Sequence, residues 1–136
     1  MLTRTAALMA QLATVNAEVN RLPYQSDATR YGRPDFWTDI EAAGGGDCED
    51  YALAKRRRLL ASGWPPSAVR LATCWTEREE YHAVLTVDLQ GPEGPETWVL
   101  DNRYGRVQAA ADLIRMGYRW DRRQAATGRG WVQIKT

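Results

Sequence analysis

The apolar residues of this 136-residue chain change their period once, at Gly63 and the pair Pro65-Pro66, and that change dictates two kinds of layer. Before the break, Leu8, Leu12, Val15 and Val19 recur at spacings of four and three, the stripe of an amphipathic helix over about residues 3–21 that stops before Pro23. After it the pattern alternates. Val69 to Trp75 and Tyr81 to Val87 read as strands, and Thr97 to Asp101 as a third. Between the last two, Asp88 to Glu96 holds two glycines and two prolines, which read as a hairpin loop joining antiparallel neighbours. Ala109 to Met116 reads as a short helix closed by Gly117, and Trp131 to Lys135 as a final strand. Helices lead and an antiparallel sheet follows, an α+β layout.

The strongest helical signal follows Gly44-Gly45-Gly46. Asp47 is placed as an N-cap, acids fill the first turn, bases fill the later part, and Gly63 lies beyond the end, so the helix is expected over about 48–61. Between the first helix and this one, a loop with Asp27, Gly32 and Pro34 leads to Phe36-Trp37, and a short helix is expected from Trp37 to Ala42.

At 15.4 kDa the chain has the size of a single domain, residues 1–136. Its net charge of +1 supplies no field for nucleic acid. The basic run Lys55-Arg56-Arg57-Arg58 occupies successive helical positions, so it spreads around the helix and reads as solvated charge complementing the helix C-terminal half. No stretch approaches the roughly 18 apolar residues of a membrane span. An export signal is also not expected, since Gln11 interrupts the apolar run after Arg4. Two cysteines and one histidine are too few for a disulfide scaffold or a zinc finger.

Those few residues stand where chemistry would use them. Cys48 lies in the first turn of its helix, where free N–H groups and the helix dipole favour a thiolate. The three preceding glycines leave the sulfur open to an approaching backbone, and the Cys48 N–H is available to an oxyanion. Asp47, Glu49 and Asp50 oppose thiolate formation unless they turn away or hold a cation. If Asp88 and Pro95 flank the hairpin turn, facing residues have numbers that sum to about 183, which sets His82 opposite Asp101 on one face. Cys, His and Asp in that order supply the nucleophile, base and orienter of acyl transfer. Cys74, with no acid or base beside it, reads as core.

The segments Gly-Gly-Gly-Asp-Cys-Glu-Asp-Tyr-Ala-Leu-Ala-Lys at 44–55, Tyr-His-Ala-Val-Leu at 81–85 and Trp-Val-Leu-Asp-Asn at 98–102, with Asp35-Phe36-Trp37 upstream, resemble the bacterial transglutaminase-like cysteine peptidases. The best-known members of that family are periplasmic proteases that release biofilm adhesins. The resemblance implies a papain-like core in which a helix bearing the cysteine packs on an antiparallel sheet. It implies Cys48 as nucleophile, His82 as general base and acid, and Asp101 as orienter, acting on a peptide or protein. Calcium is a candidate cofactor because some members require it, and the flanking acids here are Asp47 and Glu49. Trp37 is a candidate for the cleft or oxyanion region, with core packing as its ordinary alternative. Amidase or transglutaminase-type transfer is the nearest other activity, and a catalytically silent binding module the other class. Known members are longer and exported, whereas this sequence opens on the first helix, so a cytoplasmic, phage or mobile-element setting is expected.

Overall fold

The computed structural model describes residues 1–22, 48–127 and 130–134. The first helix, α1, runs Ala6–Asn20 and is capped by Thr5, whose hydroxyl accepts from the Leu8 N–H at 3.1 Å. It buries Leu12, Val15 and Val19, the stripe that the sequence marks, together with Asn16. The second, α2, runs Cys48–Ala61, with Gly63 beyond it at a φ of +97°. A left-handed residue after a helix end is where glycine carries no Cβ penalty, which is why the helix stops there.

The strands are β1 Val69–Trp75, β2 Tyr81–Gly91, β3 Gly94–Leu100, β4 Gln108–Ala109, β5 Arg119–Gln124 and β6 Trp131–Gln133, with a short helix α3 at Ala110–Arg115. Among the described residues they form one sheet in the order β4-β3-β2-β1-β5-β6, each neighbouring pair antiparallel. The α+β expectation therefore holds, and β1 begins and ends where the alternation does. The hairpin loop does not hold as drawn. Strands β2 and β3 continue through most of Asp88 to Glu96, leaving a turn from Gly91 to Gly94, where Gly94 has a φ of +128°. Pro95 is tolerated in the strand because, among the described residues, β4 is the neighbour on that side and pairs further along at Trp98 and Val99. Strands β4 and β5 were not anticipated. Strand β5, Arg-Trp-Asp-Arg-Arg-Gln, carries too many charges to alternate visibly.

Each face of the sheet has its own core. On one, Leu71, Ala83, Leu85, Val87, Leu89 and Leu100 pack against Leu12, Val15 and Val19 of α1 and Cys48, Ala52, Leu53 and Leu59 of α2. On the other, Ala72, Cys74, Val84 and Val99 meet Leu113 of α3, Tyr118 and Trp120. Sites near the end of β2 can therefore draw side chains from both layers.

Candidate active site

Cys48 is the first residue of α2 and is 7% exposed. Its Sγ accepts from the Ala83 N–H at 3.4 Å. Strand β3 ends at Leu100, short of Ala83, so this N–H is left to the sulfur. His82, the residue just before Ala83 on β2, is thereby brought close to the start of α2 and holds Asp101, with Nε2 2.7 Å from Asp101 Oδ1. Nδ1 is thus the nitrogen left for the thiol.

The expected pairing of His82 with Asp101 is realised through a different register. Leu85 faces Leu100 and Gly91 faces Gly94, so the ladder, extended past β3, sets Asp101 opposite Val84 and His82 one diagonal away. The slip is of even length and so keeps both residues on the same face, and diagonal neighbours lie within reach of a ring. An odd slip would have separated them.

Asp101 is fully buried and richly supplied with donors. Besides His82, Oδ1 accepts the Arg103 N–H at 2.9 Å, while Oδ2 accepts the Tyr118 hydroxyl at 2.6 Å. Burial alone would raise its pKa, but the bonds from His82, Tyr118 and Arg103 hold it below the usual carboxylate range. For His82, burial would lower the value; the bonds to Asp101 and Cys48 outweigh it and push the imidazole up to about 9. The imidazolium is the favoured form at neutral pH.

Behind Asp101 the network continues to the surface. Arg103 donates to the Tyr118 hydroxyl at 2.9 Å and grips Glu77 with two bonds of 2.8 and 2.7 Å. From α1, Asn20 Nδ2 donates to the Asp101 and Tyr104 carbonyls, and Asn16 Nδ2 to those of Tyr104 and Gly105, which ties the turn after β3 to the first helix. None of Tyr118, Arg103, Glu77, Asn16 or Asn20 stood out in the sequence. The one available signal was a pair of asparagines on one face of an amphipathic helix.

Lys55 corrects the reading of the basic run as solvated charge. It is fully buried on the stripe of Cys48, Ala52 and Leu59, and its Nζ has no hydrogen-bond partner among the described residues. Burial lowers its pKa to about 8 against the attraction of Asp101. Spreading four bases around a helix necessarily turns one of them inward. Cys74 is buried as expected; its thiol points to the His82 carbonyl at 3.7 Å, and burial, then Asp101, raise its pKa strongly.

Glu49 and Asp50 are buried, at 2% and 5% exposure. Asp47, Trp37 and the expected helix from Trp37 to Ala42 lie outside the described residues. Among the described residues no three His, Cys, Asp or Glu side chains gather as a metal site. Glu49, the residue after Cys48, carries a hard oxygen donor of the kind calcium takes.

A thiol at a helix start, facing an imidazole whose far nitrogen is held by a carboxylate, all on an antiparallel sheet, is the layout of thiol acyl-transfer enzymes. Over residues 1–136 the sequence matches the family model of the bacterial transglutaminase-like cysteine proteinases, and the chain belongs to that family, whose members are cysteine peptidases. Among solved structures it is similar to Legionella pneumophila LapG at 27% identity and a TM-score of 0.66, the match covering 93% of this chain and 68% of that one. The calcium-bound form of LapG aligns with a TM-score of 0.67 over 98% of this chain and 72% of that one, and the EGTA-treated form with 0.66 over 93% and 67%. A search of curated proteins finds no match.

Proposed function

We propose that the protein hydrolyses a peptide bond in a protein substrate through Cys48, His82 and Asp101. The observation that carries this reading is the grouping of Cys48, whose Sγ meets the Ala83 N–H at 3.4 Å, with the neighbouring His82, whose Nε2 lies 2.7 Å from Asp101 Oδ1. The Cys48 thiolate attacks the amide carbonyl, forming a C–S bond and an oxyanion that the Cys48 N–H at the helix start would receive. The His82 imidazolium then gives its proton to the departing amine as the C–N bond breaks, leaving a thioester. A water molecule attacks the thioester, His82 takes its proton, and the C–S bond breaks to release the carboxylic acid, restoring the Cys48 thiolate beside the His82 imidazolium. Asp101 holds the ring in the tautomer and orientation that both half-reactions need.

Calcium belongs to the same proposal, supported by the calcium-bound LapG neighbour and by a buried carboxylate, Glu49, one residue after the nucleophile in sequence. Asp47 and Glu49 would hold it. Bound there, the ion would offset the negative charge that these two acids bring beside the thiol.

The test is the rate at which iodoacetamide alkylates Cys48 as a function of pH, followed by peptide mapping, in wild type and His82→Ala, each with calcium and with chelator. Rapid labelling near pH 6 that depends on His82 is expected, slowed by chelator. Labelling that follows an ordinary thiol of pKa about 8.5 in every sample would rule out the ion pair. Cleavage of a denatured-protein digest target that persists in Cys48→Ala would rule out the nucleophile.

A further inference from the structure

One end of the sheet carries an aromatic pair that the triad does not use. Trp75 closes β1 and faces Tyr81, which opens β2; their ring centroids are 4.8 Å apart with the planes tilted by 52°. Tyr81 is half-buried against the apolar cluster that contains Cys48 and Ala83. It lies two residues before Ala83 on the same face, about 7 Å along the strand, and Ala83 is the residue whose N–H meets the Cys48 sulfur. The Tyr81 ring cannot swing away. Its hydroxyl donates to Asp121 at 2.5 Å and lies 2.9 Å from Thr73 Oγ1. Trp75, by contrast, keeps 37% of its surface exposed.

Several charges around this shelf are matched. Arg119, opposite Trp75 on β5, is bound by Glu79 through bonds of 2.9 and 2.6 Å, and Asp121 is engaged by Tyr81 and by Gln133. Glu77 on the same hairpin turn is held by Arg103. An open indole braced by a fixed phenol ring, which itself packs on the cluster that holds the nucleophile, offers area to an uncharged apolar side chain. We propose that Trp75 and Tyr81 form a specificity subsite that takes an aromatic or large apolar residue of the substrate next to the scissile bond.

This inference rests on the assignment of Cys48 as nucleophile, and its test separates the two. Two peptidyl chloromethyl ketones, one with phenylalanine and one with glycine at the residue bearing the ketone, alkylate a thiolate with loss of chloride. Their rates with Cys48 are measured in wild type, Trp75→Phe and Trp75→Ala, each normalised to the iodoacetamide rate of the same protein. The shelf predicts a preference for the phenylalanine reagent of about tenfold in wild type, kept in Trp75→Phe and lost in Trp75→Ala. No preference in wild type, or a preference that survives in Trp75→Ala, overturns the subsite while leaving the nucleophile standing. Failure of both ketones, with iodoacetamide reacting as it does with an ordinary thiol, overturns the hydrolase assignment and the subsite together.

Discussion

Replacing Lys55 by methionine should make the protein more stable near neutral pH, and the size of the gain can be worked from the site. The ammonium is fully buried without a hydrogen-bond partner among the described residues, and burial lowers its pKa from the ordinary 10.5 to about 8. At about 1.4 kcal/mol per pH unit, that gap represents about 3 kcal/mol by which the charged form disfavours the folded state. The sign follows from proton counts. Between pH 8 and 10.5 the unfolded chain holds this proton and the folded chain does not, so the Lys55 contribution to stability rises with pH across that window. Methionine fills nearly the same volume and carries no such cost. Lys55→Met should therefore exceed wild type by up to about 3 kcal/mol below pH 8, and the two should converge by about pH 10.5. Urea unfolding followed by tryptophan fluorescence, at intervals from pH 6.5 to 11, reads the difference directly. Two curves that run parallel would refute the reasoning, because a pH-independent gap means that Lys55 titrates alike in both states. A variant less stable than wild type below pH 8 would show that the ammonium has a favourable partner after all.

His82 acts in the opposite sense over a neighbouring window. Its folded pKa is raised from 6.5 to about 9, so its contribution is whole below pH 6.5 and about 3 kcal/mol is lost as pH rises through 9; His82→Leu should flatten that decline in the same unfolding series. Tyr118→Phe removes only the hydroxyl that donates to Asp101 Oδ2 at 2.6 Å. With one donor fewer the carboxylate becomes more basic and pulls harder on the imidazolium, so the resonance of the chain's single histidine should titrate higher, by roughly half a unit to one unit. A stronger hold on the proton weakens His82 as an acid toward the leaving amine, and kcat should fall about tenfold with little change in KM. An unchanged histidine titration in Tyr118→Phe would show that the hydroxyl merely fills space.

How much of this was legible in the sequence depends on the separation of the residues involved. Local signals were read well: α2 spans the residues that its glycine and acidic punctuation mark out, and the buried stripe of α1 is the one its spacing gives. The turn between β2 and β3 was less legible because two prolines argue against a strand, whereas Pro92 falls in the turn itself and Pro95 in a strand with little pairing on one side. The error moved the register by two residues and cost nothing at the site, since pairing parity, rather than exact opposition, decides which side chains share a face.

The side chains around Asp101 were illegible for a different reason. Tyr118 reaches the carboxylate from 17 residues away, after a two-residue strand and a six-residue helix have turned the chain back onto the second face of the sheet. No pattern in those residues announces the turn, and a tyrosine among six carries no mark of its destination. Lys55 was the opposite case, because the helical period that places Cys48, Ala52 and Leu59 on one stripe places Lys55 there too. Its charge argued for solvent and its position for the core. Position prevailed because α2 is fixed by Cys48, Ala52, Leu53 and Leu59 together, and a single lysine is too weak to rotate a helix that four apolar contacts hold. A buried amine is therefore what this helix accepts in order to bury Cys48, Ala52 and Leu59 on one stripe, and the pH-dependent cost of Lys55 is the size of that concession.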